Sequence, residues 1–536
     1  MSTKIFSCFV DGLSANLIEV EVDILQGLPG LSIVGLGDTA VQEAKERIRS
    51  AIKNSGATYP QQKKIINLAP AHLRKNGACF DMPMALGLLE ASRQLKAPPN
   101  ALIVGELALN GEVRPIHGAL SIGLFAQKHH MDLFLPYENA SEVQIIDYPN
   151  VYPVKNFAEI IKHCQAKEPN ESPLQKIPTI AKNQNLTKET SDSLFQKGAT
   201  AREQNSSKKP EPAELEPPIN MSMIQGQLTA KRALEIAAAG GHHVLLYGPP
   251  GTGKTLLAQA LQGILPPLTK TEMIEIMQIY SSAGLLKNPE QLHQRPFRQI
   301  HQSCSTPALV GGGIHAQPGE ISLAHHGVLF FDEIAEAPRS LLESLRQPLE
   351  ERSITVSRLH HHVVYPANFT LIAAMNPCPC GYYGSEEKSC TCTNSAIVHY
   401  HKKLSGPLMD RFQLFVQLQR EPVKLQTPSN QKTSQEFQKD IIKVRQIQQK
   451  RFQNMHRPML NSQINAEQIK EFCSIESQSQ KYLFDYANAH KVSMRSLHNI
   501  LKIARTIADL NAHDNIQTQH IAEALSYRLQ PTSPLI

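Results

Sequence analysis

Four short stretches carry residue types whose spacing could do chemistry. The first is "GPPGTGKT", which names Gly248, Pro249, Pro250, Gly251, Thr252, Gly253, Lys254 and Thr255 as candidate nucleotide-binding residues. Glycines let the backbone aim N–H groups inward at phosphate, the Lys254 ammonium suits the β and γ phosphates, and the Thr255 hydroxyl suits Mg²⁺. The second is "GVLFFDEI", an apolar run ending in Asp332 and Glu333. Asp332 is a candidate for the Mg²⁺ shell, and Glu333 for orienting and deprotonating an attacking water. "LIAAMNP" ends a third apolar run in Asn376, whose amide could hold that water by hydrogen bonds. "LSGPLMDRF" then places Arg411 where it could reach a neighbouring subunit's γ-phosphate, a surface salt bridge being the alternative. ATP hydrolysis with Mg²⁺ is the chemistry these four stretches share.

A further stretch, "NPCPCGYYGSEEKSCTC", holds four of the nine cysteines: Cys378, Cys380, Cys390 and Cys392. Four thiolates suit tetrahedral Zn²⁺, and Gly381, Gly384 and Ser385 offer turns that fold the two Cys-x-Cys pairs together. The short spacer strains such a chelate, so a redox-active set and a loop of free thiols remain alternatives. His360, His361 and His362 are consecutive, so on a strand they face alternate sides and do not converge on one ion.

These residues must be positioned by regular elements. "HVLLY" before the glycine-rich loop reads as a buried strand and "TLLAQAL" after it as a helix. Strands and helices then alternate to about Arg420, the pattern of a parallel sheet covered on both faces. Beyond it the text is helical and ends in "SMRSLHNILKIARTIADLNAHD" and "TQHIAEALSYRL". Residues 168–218 are polar and rich in Lys, Glu, Ser and Pro, which predicts a linker. Ahead of it, "LIEVEVDIL" and "KKIINLAP" read as strands, "AVQEAKERIRSAIKNSG" and "MPMALGLLEASRQL" as helices, and "ALIVGELALNGEVRPI" as a hairpin turning at Asn110-Gly111.

The whole chain has 536 residues, 41% of them hydrophobic, and a formal net charge of +6, a balance that permits a polyanionic partner without requiring one. No run of ~20 apolar residues suggests a membrane span, and "MSTKIFSCFVDGL" lacks the apolar core of a signal peptide. A cytoplasmic protein with no membrane partner is expected.

"GQLTAKRALEIAAAGGHHVLLYGPPGTGKT", "PGEISLAHHGVLFFDEI", "LLESLRQPLEERSITVSR", "AAMNPCPCGYYG" and "LSGPLMDRF" together resemble the magnesium-chelatase-like AAA+ ATPases, and more narrowly the ComM (YifB) group. The resemblance implies an α/β AAA+ P-loop core at 219–420 with a helical lid at 421–536, working as a homo-hexameric ring. It implies that Lys254 is the Walker A lysine, Asp332 and Glu333 the Walker B pair, Asn376 sensor 1, Arg411 the arginine finger and Arg495 the sensor 2 arginine. The family usually reads Ser-Ala-Arg-Ala-Tyr-His around that last position, and here Arg495 and His498 are kept while the residues flanking Arg495 differ. The insertions "PALVGGGIHAQPGE" and "RSITVSR" would face the central pore, where Arg352 and Arg358 are candidate DNA contacts. Residues 1–167 resemble the Lon-protease (ribosomal S5 domain 2-like) α/β fold through "GELALNGEVRPIHGAL". The stretches aligned with its serine and lysine, "KNGACFDMP" and "GALSIG", hold neither residue type, so a non-proteolytic domain is expected despite Cys79.

The ComM resemblance further implies a motor on single-stranded and branched DNA that drives branch migration during natural transformation, with a recombinase as a partner. A protein remodeller or magnesium-chelatase-type motor acting on a protein partner is the competing class. DNA-dependence of ATP hydrolysis separates the two.

Overall fold

A computed structural model describes residues 2–35, 37, 39–71, 75, 77–166, 172–177, 219–286, 294–313, 316–358, 361–384, 388–420, 431–455 and 458–528. The chain divides into an N-terminal unit and a larger unit that begins at Pro218.

The N-terminal unit is built on a seven-stranded mixed sheet ordered Gly30–Val34, Lys63–Ala69, Ser14–Leu25, Thr3–Asp11, Ala101–Ile103, Asp132–Pro136 and Val151–Val154. The alternating run at residues 17–25 and the apolar run at 63–69 are strands as expected, paired antiparallel. Helix Asp81–Ala91 is buried along almost its whole length and packs on the two longest strands. The expected hairpin is shorter than its text suggests. Only Glu106–Leu107 and Val113–Arg114 pair, around Gly111 in the left-handed region, while Ala101–Ile103 joins the main sheet in parallel. A run of four apolar residues, Ala101 to Val104, before Gly105 cannot show from periodicity alone which partner it takes.

The expected linker also begins later than composition suggests. Residues 172–177 lie against this unit: Leu174 is buried, the Ile177 N–H donates to the Val151 carbonyl at 3.0 Å, and Lys176 Nζ donates to Asn150 Oδ1 at 2.8 Å. One apolar side chain and a pair of hydrogen bonds anchor a stretch that otherwise reads as polar. Residues 167–171 and 178–218 lie outside the described residues.

The larger unit carries a five-stranded, wholly parallel sheet ordered Phe297–Ile300, Val328–Phe331, Thr370–Met375, Val244–Tyr247 and Leu414–Gln417. Val328–Phe331 and Thr370–Met375 are buried at every position, so both faces of the sheet are covered. Helices Leu228–Gly240 and Lys254–Ile264 cover one face, and Ser434–Arg451, with a Thr433–Glu436 capping box, packs on both. The helical segment after the sheet therefore shares one apolar core with it, including Ile441, Ile503 and Ile507. Buried polar contacts tie the two further: Arg445 and Gln448 donate to the carbonyls of Ala238 and Ala239. Two antiparallel insertions leave this frame, Gly311–Gly312 with Gln317–Pro318 and Ser353–Arg358 with His361–Pro366. The Tyr365 hydroxyl donates to the Ala316 carbonyl at 2.9 Å and joins them. Ile314, His315, Leu359 and His360 lie outside the described residues. Among the described residues, no helix is long and apolar enough to cross a membrane.

Phe330 is fully buried on the central strand and stacks on Phe297, ring centroids 6.1 Å apart. Phe330→Ala should destabilise the larger unit by about 3–5 kcal/mol, read as an earlier urea transition. An unshifted transition would contradict this packing.

Candidate functional site

In a parallel α/β sheet, ligands meet the carboxyl ends of the strands. Three neighbouring strands end there in the expected residues. Val244–Tyr247 runs into the glycine-rich loop, Val328–Phe331 ends before Asp332 and Glu333, and Thr370–Met375 ends before Asn376.

The loop is fixed from both sides. The Gly248 N–H donates to the Met375 carbonyl at 3.2 Å, and a Cβ there would fall 2.4 Å from the Leu418 carbonyl oxygen, so only glycine fits. Gly251 and Gly253 take φ of +78° and +83°, and helix Lys254–Ile264 starts at once afterwards. Thr252 is buried and donates to the Pro249 carbonyl, while Arg420 donates to the Pro250 carbonyl at 3.0 Å. Thr255 occupies the second position of the helix, half-buried.

Lys254 Nζ donates to the carbonyls of Gly248 (2.7 Å) and Pro249 (3.0 Å) and to Asn376 Oδ1 (3.0 Å). Burial pushes the ammonium down to about 8, against the opposing pull of Asp332 and Glu333. Asp332 and Glu333 are both half-buried, and the Glu333 N–H donates to Asp332 Oδ1 at 3.1 Å. Glu333 sits at φ +49°, and its carboxylate accepts a hydrogen bond from Gln302 Nε2 at 3.2 Å. Gln302 is absent from the sequence reading. Its signal is topological: it follows Phe297–Ile300, the strand beside the acidic one.

Arg411 and Arg495 come together elsewhere. Both pair with Glu350, Arg495 Nη2 at 3.3 Å from its Oε1. Around them is a cavity of about 240 Å³, lined also by Arg352, Lys502 and His498. Arg411 is only 6% exposed, and its buried Nε has no hydrogen-bond partner among the described residues. Burial, with Arg495 and Arg346 nearby, pushes its guanidinium down to about 10, and burial alone does the same to Arg352. Cations therefore outnumber the lining carboxylates of Glu350 and Asp410, which makes this an anion-seeking pocket. Arg352 caps helix Arg346–Glu351 at the base of the hairpin, and its side chain lines the arginine pocket. Arg358 ends the first hairpin strand opposite His361, with its side chain outside the described residues. The missed partner, Glu350, is legible only as the first of two acids ahead of Arg352 in "PLEERS", because the contact with Arg411 spans 61 residues.

The four cysteines also converge. Sγ–Sγ distances are 3.3 Å for Cys378–Cys380, 3.5 Å for Cys380–Cys390 and 3.7 Å for Cys378–Cys390, and Cys392 lies within 4.8 Å of the others. Gly381 and Gly384 take positive φ, as turns require, while Ser385 lies outside the described residues. This set could hold one tetrahedral metal ion. A second cluster behaves differently. Glu275 accepts from His325 Nε2 (3.3 Å) and His326 Nε2 (2.5 Å). The Asn368 N–H donates to His325 Nδ1, so that ring's proton sits on Nε2 and points at the carboxylate, where a metal would need a lone pair. This is a hydrogen-bonded pin just ahead of the acidic strand.

In the N-terminal unit, the stretch aligned with a protease serine holds a buried ion pair. Asp81 is buried, pairs with Arg47 Nε at 2.7 Å and accepts the Leu107 N–H at 3.3 Å. Burial pushes its carboxyl up to about 6, with Arg47 opposing. Cys79 is half-buried just ahead of it.

Family models match nearly all of the described chain: magnesium chelatase, subunit ChlI, over residues 220–425; subunit ChlI of Mg-chelatase over 20–139; and the subunit ChlI C-terminal model over 431–528. The competence protein ComM of Haemophilus influenzae is 38% identical over 525 residues, covering 96% of this chain and 95% of that protein. A protein called YifB from Escherichia coli K12 is 40% identical over 523 residues, covering 96% and 95%. The magnesium-chelatase 67 kDa subunit of Heliobacterium mobile is 26% identical over 252 residues, covering 41% of this chain and 37% of that protein.

Binding a triphosphate beside Lys254 favours its charged form, so binding should take up a proton where the free lysine is neutral. Affinity for a fluorescent ATP analogue should be level below about pH 7 and fall as pH rises through about 8, by at most about tenfold per pH unit. A level profile to about pH 10 would mean that the free lysine stays charged.

Proposed function

The chain belongs to the ComM/YifB family of magnesium-chelatase-like AAA+ proteins, and from that premise we propose that it is an ATP-hydrolysing motor acting on DNA. One observation carries the ATPase part: Lys254 and Asn376, 122 residues apart, share a hydrogen bond beside the strand that ends in Asp332 and Glu333. In this reading the loop N–H groups and Lys254 bind the triphosphate. Thr255 and Asp332 hold Mg²⁺, which neutralises phosphate charge when bound. Glu333 orients and deprotonates the attacking water, released from Gln302 to do so, and the Asn376 amide fixes that water's position.

Arg411 and Arg495 act on the γ-phosphate held by the next subunit of a homo-hexameric ring. Their shared Glu350 keeps the pair together until a phosphate competes for it, and the unpartnered Arg411 Nε offers a further donor. Residues 1–167 form a non-proteolytic Lon-like domain, 219–420 the AAA+ core and 421–536 its lid. The cysteine loop carries a structural Zn²⁺.

The DNA part rests on similarity to a protein named for competence. We read the substrate as single-stranded and branched DNA, and the work as branch migration in the cytoplasm during natural transformation, alongside a recombinase. The two insertions joined by Tyr365 supply a paired surface for a pore, with Arg358 its candidate phosphate contact. A motor on a protein partner is the second reading, favoured by similarity to a magnesium-chelatase subunit.

ATP turnover measured with and without single-stranded DNA, at low and moderate salt, decides between them. Salt-sensitive stimulation, lost in Lys254→Ala and Glu333→Gln, is expected. Turnover indifferent to DNA would overturn the DNA reading and favour a protein partner. Arg411→Ala and Arg495→Ala should each retain ATP binding while turnover falls by about 10³ or more. Full turnover in either would remove that residue from the phosphate site.

A further inference from the structure

We infer that the four cysteines form a Zn²⁺ latch that holds the Asn376 turn against the phosphate-binding loop. The inference rests on the zinc and ATP readings above and adds a mechanical link between the two sites.

The thiol geometry points to one ion. Four sulfurs ~2.3 Å from a tetrahedral centre stand ~3.8 Å apart. The measured separations of 3.3 to 3.7 Å among Cys378, Cys380 and Cys390 lie close to that edge. Backbone N–H groups support the sulfurs: Tyr383 donates to Cys378 Sγ at 3.3 Å and Cys392 to Cys390 Sγ at 3.4 Å. Such outer donors disperse the charge of four thiolates around a divalent cation and fix their directions.

The link to the nucleotide site is steric. Asn376, Pro377 and Cys378 are consecutive, so an ion on Cys378 and Cys380 fixes the chain immediately after the amide that meets Lys254. On the far side of the turn, Gly381 takes φ +84°, and a Cβ there would fall 2.8 Å from both Cγ and Cδ of Pro250. The turn therefore lies directly on the phosphate-binding loop with no room for a methyl group. His401 Nε2 donates to the Pro377 carbonyl at 2.8 Å and holds the turn from a third direction. Cys390 and Cys392 lie just before helix Asn394–Lys402, which carries His401, so one ion would tie that helix, the turn and the loop together.

The full-length chain, purified without added metal, should carry about one zinc per chain by elemental analysis. Exchange for Co²⁺ should give the thiolate charge-transfer and tetrahedral ligand-field bands. Cys390→Ser/Cys392→Ser should lose the ion and bind a fluorescent ATP analogue about tenfold more weakly. Gly381→Ala should show the same loss of affinity while keeping its zinc and a cooperative melting transition, lowered by the cost of a Cβ at positive φ, so that loss of affinity is separated from loss of the ion. Wild-type protein with neither zinc nor a cobalt–thiolate spectrum, or with these cysteines in disulfides, would overturn the metal site. Zinc-free or Gly381→Ala protein with wild-type nucleotide affinity would overturn the latch and leave the metal site standing. A wild-type chain that binds zinc but no nucleotide would overturn the ATP reading and the latch together.

Discussion

The larger unit depends on how one ammonium is held. Lys254 is drawn out of water by the packing of the sheet beneath it, and it compensates by donating to two loop carbonyls and to Asn376. Those hydrogen bonds require Val244–Tyr247 and Thr370–Met375 to lie side by side, which they do in parallel register from Val244 opposite Ile372 to Tyr247 opposite Met375. The register is fixed in turn by an apolar core that leaves no alternative pairing for strands buried on both faces. The candidate nucleotide site thus stands at the carboxyl end of a packed sheet, where the glycine-rich loop is met by the Leu418 backbone and by Arg420.

The arginine pocket shows the same dependence on burial with less compensation. Arg352, Arg411 and Lys502 are all pushed toward neutrality by desolvation, yet only Glu350 and Asp410 supply nearby negative charge. An excess of partly desolvated cations is costly unless an anion completes it. The shared core between the sheet and the C-terminal helices maintains this arrangement. Arg495 stands on helix Met494–Leu510, whose apolar face buries Ile500, Ile503 and Ile507, while Arg411 follows the short helix Gly406–Met409.

In the N-terminal unit, one buried ion pair has a comparable structural role. Arg47 reaches from helix Thr39–Asn54 to Asp81 at the start of the buried helix, and the same carboxylate takes the Leu107 N–H of the short hairpin. Three elements meet at one carboxyl group. This gives the "KNGACFDMP" stretch a structural occupation.

The sequence by itself determined the nucleotide end of the sheet. Glycines, lysine, paired acids and a terminal asparagine each follow an apolar run, and such runs of four to six residues have few ways to pack. It also determined which cysteines belong together, because the pairs flank turn-forming glycines within one loop. Tertiary structure alone decided the long-range pairings. Nothing local tells Arg411 to meet Glu350, turns Arg352 into the same pocket, sets Gln302 against Glu333 or presses Gly381 onto Pro250. Each of these contacts joins segments that periodicity treats as independent, and a side chain's partner across such a distance is set by strand order and shared core packing. The same reason explains residues 172–177, which are polar in composition and held in place by a single buried leucine and the edge of a sheet.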